Sequence, residues 1–207
     1  MKIVKPKITF LERMELSKII EVDEYYNKEV VNDIKEDKLI SNKIFSSCVF
    51  EGISFAKIKL DSVCFIDCRF ANCDLSNLDL SQVDLTRCSI MTSKLSGVSF
   101  HKSILKDISI VESNASYVDF SDAIISNTQF IDTKMIDSVF TNSTLKNVIF
   151  DNVDLSKTDF TYVEHDKIDL STSRIDSVRF DLKSLKGLTV SNEGAVIITE
   201  MLGVKVK

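Results

Sequence analysis

Two histidines and five cysteines are the residues of this 207-residue chain that could do nucleophilic or metal chemistry. Their spacing argues against both. Cys48, Cys68 and Cys88 recur every twenty residues. If residues at that interval stack, the three thiols form a line, whereas a metal centre needs ligands that converge tetrahedrally. A disulfide within such a line is sterically allowed. In a reducing compartment, however, cysteine serves as a small hydrophobe. Cys73 shares that role, and only Cys64 is expected to face outward. His101 stands among Ser and Lys and is expected in solvent. His165 is expected inside, as a satisfied core residue or at a local bulge, and no nucleophile can be placed beside it. The phosphate-loop, dinucleotide and zinc-protease motifs are missing from the sequence. The residues therefore assign no catalytic group, no cofactor and no metal, and an enzyme is not expected.

What positions these residues is a period of five. From Phe45 to Phe180 every fifth residue is apolar except His165, and Ala115 is the only small one. The residue two before each is mostly small or apolar, as at Cys48, Val63, Leu78, Val98, Val118 and Val153. Neither a helix nor an isolated strand has this period. It marks an internal repeat. Two inward and three outward positions in five predict a chain that turns a corner every five residues. Four corners close a square of twenty, and squares stack ~4.8 Å apart, as strands do. Inward columns then include Leu60, Leu80, Phe100, Phe120, Phe140, Phe160 and Phe180, and opposite them Phe50, Phe70, Phe130 and Phe150, all read as core.

Cys73-Asp74-Leu75-Ser76-Asn77, Val83-Asp84-Leu85-Thr86-Arg87 and Val153-Asp154-Leu155-Ser156-Lys157 resemble the A-(D/N)-L-x-x motif of the pentapeptide repeat family. The resemblance implies an all-β solenoid, a right-handed quadrilateral β-helix. Roughly 28 pentapeptides in phase would make about seven coils. The expected division is an N-terminal cap and irregular lead-in over 1–40, the β-helix over 41–182, and a C-terminal capping and dimerisation segment over 183–207. Phe10, Leu11, Met14, Ile19 and Ile20 predict a short amphipathic helix over 8–20. In 21–40, Ile34, Leu39 and Ile44 keep the five-spacing shifted by one. Near the C-terminus, Ser191 or Asn192 suits a helix N-cap and Gly203 the left-handed position after its end. Val204–Lys207 could add an edge strand.

That tail is similar to the ends of the quinolone-resistance (Qnr) and related gyrase-protecting pentapeptide proteins. The resemblance implies an end-to-end homodimer, here through Val196, Ile197, Ile198, Met201 and Leu202. It implies DNA gyrase or topoisomerase IV as partner, bound by mimicry of B-form DNA. Charge tests the mimicry. B-DNA carries one negative charge per ~1.7 Å, so a stack of ~34 Å would need about twenty. Residues 41–180 carry 19 acidic and 14 basic residues, a net of −5. Direct binding of nucleic acid is not expected either. The acids are uneven, though. One face holds Glu51, Glu112, Asp132, Asp151 and Asp169 against Arg69 alone. On it, Met91, Val111 and Ile131 form an outward apolar column. These three with Glu112, Asp132 and Asp151 are the candidate partner-binding residues. A second acidic face carries Asp79, Asp119 and Asp159, and Ile104 and Ile124 add apolar groups on a neighbouring face. The alternative is an interaction scaffold with another protein partner and no biochemical activity.

The net charge is −5 and the mean hydropathy +0.06, with no membrane-spanning run. Met1–Pro6 has no apolar leader core, so a cytoplasmic location is the expectation.

Overall fold

The computed structural model describes residues 3–19 and 22–207. The chain winds as a right-handed quadrilateral β-solenoid of about 9 turns with one C-terminal helix. Cα partners sit twenty residues apart: Phe45 pairs with Phe65, Phe50 with Phe70, and Ile110 with Phe130. All pairings are parallel, and one sheet of 14 strands wraps two adjacent faces.

The two pairs of faces differ, and the residues flanking each corner account for it. On the strand faces the outward positions are often β-branched or apolar, as at Ile104, Ile124, Val111 and Ile131, which favours extended backbone. Those faces carry strands such as Ile104–Lys106 and Ser109–Val111, which fuse across their corner in Ile124–Ile131 and Thr144–Asp151. On the other two faces Asp or Asn commonly stands before the inward residue and Ser or Thr after it. Asp79 Oδ1 accepts the Ser81 N–H at 2.9 Å, Asp119 the Ser121 N–H at 2.8 Å, and Asp159 the Thr161 N–H at 2.9 Å. This local bonding competes with strand pairing. Apart from the N-terminal pair Lys38–Ser41 with Ile58–Asp61, those faces keep single bridges such as Asp79↔Ser99, joined by β-turns. In one, Leu78 N–H donates to Leu75 O at 3.0 Å and Asn77 has φ 59°, the geometry of a type II turn. The residue two after the inward apolar position adopts positive φ at nearly every corner, and Asn, which tolerates it, recurs there at Asn72, Asn127, Asn142, Asn147 and Asn152.

The repeat spacing dictates the core. Rings twenty residues apart must stack, and Phe120–Phe140 and Phe140–Phe160 do so with centroids 4.7 and 4.9 Å apart. The opposite column stacks Phe130 on Phe150 at 5.1 Å and meets the first edge-to-face. The small inward position carries a polar variation. Cys48, Cys68 and Cys88 Sγ each donate to the carbonyl 23 residues earlier, and Ser138 Oγ and Thr158 Oγ1 do the same. All five cysteines are free thiols, with Cys64 half-buried.

The N-terminal expectations need correction. No helix forms over the described part of 8–20, and Ile20 lies outside the described residues. That segment is strand β1 (Glu12–Glu15) and a 3-10 turn, Leu16–Lys18, whose Leu16, with Ile19, is buried at the end of the core. The apolar residues there serve a plug, not a helix face. The following stretch is regular too: β2 (Glu24–Tyr26), β3 (Lys28–Val31), β4 (Lys38–Ser41), β5 (Ile44–Ser46) and β6 (Val49–Glu51) stack in order. Tyr25 pairs with Phe45 and Ile40 with Leu60, so the original phase holds and the shifted one does not. Leu39 is 63% exposed while Ile40 is buried. Lys35 breaks the pattern once, and the first coil is short, since Met14 pairs with Val30 only sixteen residues on. These two irregularities hid the additional turns.

At the other end α1 (Asn192–Met201) begins as expected, with Ser191 Oγ accepting the Gly194 N–H at 3.1 Å. A Cβ on Gly194 would lie 3.0 Å from both Ile175 Cδ1 and Val190 Cβ, so the first helical turn rests directly on the last coil. After the helix, Gly203 (φ 85°) donates to Glu200 O at 2.9 Å and Val204 to Thr199 O at 3.1 Å. This Schellman closure turns the chain. Val204–Lys207 forms no strand.

Candidate functional site

The register brings the six sequence-predicted binding residues into one strip. Met91 pairs with Val111, Val111 with Ile131, and Ile131 with Asp151, so the apolar column ends on a carboxylate. Met91 is 41% exposed, while Val111 and Ile131 are half-buried. One residue on, Glu112 and Asp132 are exposed at adjacent coils of the corner, both in left-handed backbone at φ 49°. That backbone throws both carboxylates outward beside the apolar column. Asn152 Nδ2 donates to Asp132 Oδ1 at 2.6 Å and orients it. The strip runs into a shallow cleft of about 360 Å³ lined by Asp132, Lys134, Asn152, Asp154, Thr172 and Arg174 among others. Lys134 and Arg174 dilute the negative field there.

The second acidic face is built differently. Asp79, Asp119 and Asp159 have each committed one carboxylate oxygen to a corner N–H, and Asp159 also pairs with Arg179 at 2.7 Å. The Ser81 hydrogen bonds hold the Asp79 carboxyl below the usual carboxylate range. These acids shape turns, whereas the side-chain carboxylates of Glu112 and Asp151 accept no hydrogen bond among the described residues. Ile104 and Ile124 pair on the neighbouring face and are 45% and 47% exposed.

His101 Nδ1 lies 2.8 Å from Ser121 Oγ and 3.7 Å from Asp122 Oδ2, at the surface. His165 is half-buried opposite Leu145, with Nε2 2.7 Å from Ser184 O and Nδ1 without a partner among the described residues. His165 touches no nucleophile, whereas His101 meets the Ser121 hydroxyl through Nδ1, the same nitrogen that faces Asp122, so no carboxylate orients the ring from its other side as an activated serine requires. Among the described residues no group of His, Cys, Asp and Glu has metal-site geometry. No described helix is long and apolar enough to cross a membrane.

The five C-terminal candidates divide. Ile197, Ile198 and Met201 pack against the core of their own chain, whereas Val196 and Leu202 are 39% and 50% exposed. Leu182 (77%) and Val204 (55%) add to the exposed apolar surface of this segment.

Two features were not legible as sites. Tyr117 and Tyr162 project at corners with φ 62° and 60°, each about two-thirds exposed. A bulky residue at a position favouring Asn was the available signal. The other is an ionic clip. Asp67, buried, accepts Arg87 Nε and Nη2 at 2.8 and 2.7 Å and the Lys7 N–H at 3.0 Å. Burial pushes its carboxyl up, but the Arg87 and Lys7 hydrogen bonds outweigh this and hold it below the usual range. The twenty-residue gap between Asp67 and Arg87 was visible, but the third partner, 60 residues away, was not.

Coils of twenty with corners every five residues, over this length, match a known architecture. The model of the pentapeptide repeat region matches residues 63–132 and 83–160. The chain is a pentapeptide-repeat protein. Among solved pentapeptide-repeat structures, a trypsin-treated form of QnrB1, a plasmid-mediated fluoroquinolone resistance protein, is 19% identical, with a TM-score of 0.52 over 97% of this chain and 98% of that one. A second trypsin-treated QnrB1 is 20% identical, with a TM-score of 0.47 over 89% and 90%. HetL, from the cyanobacterium Nostoc and involved in heterocyst differentiation regulation, is 13% identical, with a TM-score of 0.36 over 91% and 92%. No curated protein matches the sequence. At this identity the first likeness shows the pentapeptide-repeat fold.

Proposed function

We propose that this pentapeptide-repeat protein is a non-enzymatic binding protein that sets its acidic, apolar strip into a basic groove of DNA gyrase or topoisomerase IV. The observation that carries this reading is the strip itself: Met91, Val111 and Ile131 in contiguous register, rimmed by Glu112, Asp132 and Asp151. Interfaces combine an apolar core with a polar rim in this way. The fold shared with QnrB1 supports the choice of partner. Val196 and Leu202 would join two solenoids at their C-terminal ends, with Ile197, Ile198 and Met201 holding the helix in place. Light scattering on the full chain is expected to give a dimer that Val196→Glu with Leu202→Glu reduces to a monomer. A full-length monomer at micromolar concentration removes the dimer.

The functional test is a supercoiling assay with purified gyrase and topoisomerase IV, with and without a quinolone. The unmodified protein is expected to inhibit or protect. Glu112→Lys with Asp132→Lys is expected to weaken the effect, most strongly at low salt, where long-range steering is greatest. No effect from the unmodified protein on either enzyme ends the topoisomerase reading. A scaffold for another protein is the second reading, favoured by the modest net charge of −5.

A further inference from the structure

The two ends of the solenoid are closed differently, and the N-terminal one leaves a strand edge open. α1 rests on the last coil. At the N-terminal end Leu16 and Ile19 plug the core, but β1 is the terminal strand of its sheet and among the described residues pairs only with β3. Glu12 N–H donates inward to Asn27 O at 2.8 Å. By strand alternation the Arg13 and Glu15 N–H groups therefore face the free edge. A groove of about 1060 Å³ runs beside them, lined by Arg13, Glu15, Asp33, Lys35, Asp37 and Glu51 among others, and a second of about 400 Å³ adjoins it along Arg13–Glu15 and Lys18. Phe10, 86% exposed, stands two residues upstream of the strand.

We infer that the β1 edge is a docking site for an extended basic segment of a partner protein, which adds to the solenoid as one more parallel strand. Strand addition draws affinity from backbone pairing and specificity from alternate side chains. Residues partnering β1 would place one apolar side chain over Met14, which heads the inward column continued by Val30, Phe50 and Phe70. Their flanking side chains would meet the groove. Its lining has five carboxylates (Glu15, Asp33, Glu36, Asp37, Glu51) against three cations (Arg13, Lys35, Lys38). One charge of each sign is engaged by backbone, Lys38 Nζ donating to Ser17 O at 2.7 Å and Asp33 Oδ1 accepting the Ser54 N–H at 2.7 Å, so the excess of carboxylates stands. The balance favours Lys or Arg on the incoming strand. It disfavours a second copy of the chain, since two such edges would oppose acidic lining to acidic lining, and the C-terminal end offers a helix instead of a strand.

The probe is a fluorescein-labelled peptide, Lys-Val-Lys-Ile-Lys, titrated into the full chain and followed by anisotropy, with Glu-Val-Glu-Ile-Glu as control. Arg13→Pro removes an outward N–H without touching a bond to β3, a substitution edge strands accept. It also removes a cation, which on charge alone would strengthen binding of the basic probe. The expected result is saturable binding of the basic peptide, at least tenfold weaker binding of the acidic one, and at least tenfold loss in Arg13→Pro with an unchanged thermal midpoint. Equal binding of both peptides, no binding, or binding indifferent to Arg13→Pro overturns the inference. So does concentration-dependent self-association of the chain that Arg13→Pro abolishes, because the occupant is then a second copy.

Discussion

The coils between Phe100 and Phe180 are filled by stacked rings, whereas those around Leu75–Leu95 are filled by aliphatic side chains. The lattice is the same in both, with Leu85 over Leu105 in the same twenty-residue register as Phe130 over Phe150. The filling is not equally tight. A flat ring fits the coil spacing, and successive Phe centroids from Phe100 to Phe180 lie 4.7–5.2 Å apart. Branched aliphatic side chains do not tile that spacing, and a void of about 10 Å³ remains where they meet the rings of Phe55, Phe65 and Phe70, lined on the other side by Leu75, Leu78, Leu80, Leu85 and Ile90. It has no polar lining, so it should stay dry. Both regions carry an ion pair across adjacent coils, but the Asp67–Arg87 pair on the aliphatic coils is the more buried and also takes the Lys7 N–H, whereas Arg179 of the Asp159–Arg179 pair on the ring coils stands mostly in solvent. A solenoid has nearest-neighbour energetics, so a loosely filled coil can be offset only locally, and here an external clip lies on it.

The largest effect expected from breaking this contrast is in the ring stack. Phe140 is fully buried between Phe120 and Phe160 and touches Phe130 and Phe150 edge-on. Phe140→Ala should cost about 3–5 kcal/mol in denaturant unfolding, since neighbouring coils are held in register and cannot collapse into the cavity. Lys146→Ala, at an exposed position on the neighbouring coil, should stay within about 0.5 kcal/mol. Equal losses would contradict the assigned register.

The clip comes next. Asp67→Ala leaves the part-buried Arg87 without its partner and frees the N-terminal arm, at a cost of about 1–3 kcal/mol. The pH dependence has a definite sign. The folded protein holds this carboxyl below its ordinary value, so on acidification the unfolded chain takes up the proton first. The clip's contribution is complete above about pH 4, the ordinary Asp range, and disappears as pH falls through the lower folded value. Unfolding midpoints of wild type and Asp67→Ala should converge at low pH. A gap that stays constant down to pH 2 would remove the clip from the stability of these coils.

The fold was legible because one rule, an apolar residue every fifth position, survives nearly 140 residues. It failed where local chemistry overrode it. Lys35 and the short first coil concealed strands whose inward residues, Tyr25, Val30 and Ile40, were in phase throughout. The difference between strand faces and turn faces was also written in the chain, in the Asp-x-Ser pairs at 79–81 and 119–121 against the β-branched residues at 104, 111, 124 and 131, and becomes readable once the side-chain bonds are seen. The acidic, apolar strip followed from counting by twenty. The division of the C-terminal apolar residues did not, because which of Val196, Ile197 and Ile198 face the last coil depends on how α1 is set down on Ile175. The open β1 edge and the Lys7–Asp67 bond join segments whose separation carries no periodic signal.

The smallest effect tests whether the aliphatic coils are underfilled or simply different. Leu80 lies in the column that becomes aromatic at Phe100, and it borders the void. Leu80→Phe would extend the ring stack by one coil and fill unoccupied space. Filling a cavity commonly gains about 0.5–2 kcal/mol, while forcing extra volume into a packed core costs about 1–3 kcal/mol. The void is smaller than the volume a ring adds, so the gain should fall at the low end, about 0.5 kcal/mol. It should also shrink the loss caused by Asp67→Ala, because a better-filled coil depends less on its external tie. A double-mutant cycle on Leu80→Phe and Asp67→Ala measures this coupling. Strict additivity would mean that core filling and clip act independently. A loss of more than 1 kcal/mol from Leu80→Phe alone would show that these coils are already full and that leucine there is a requirement of shape.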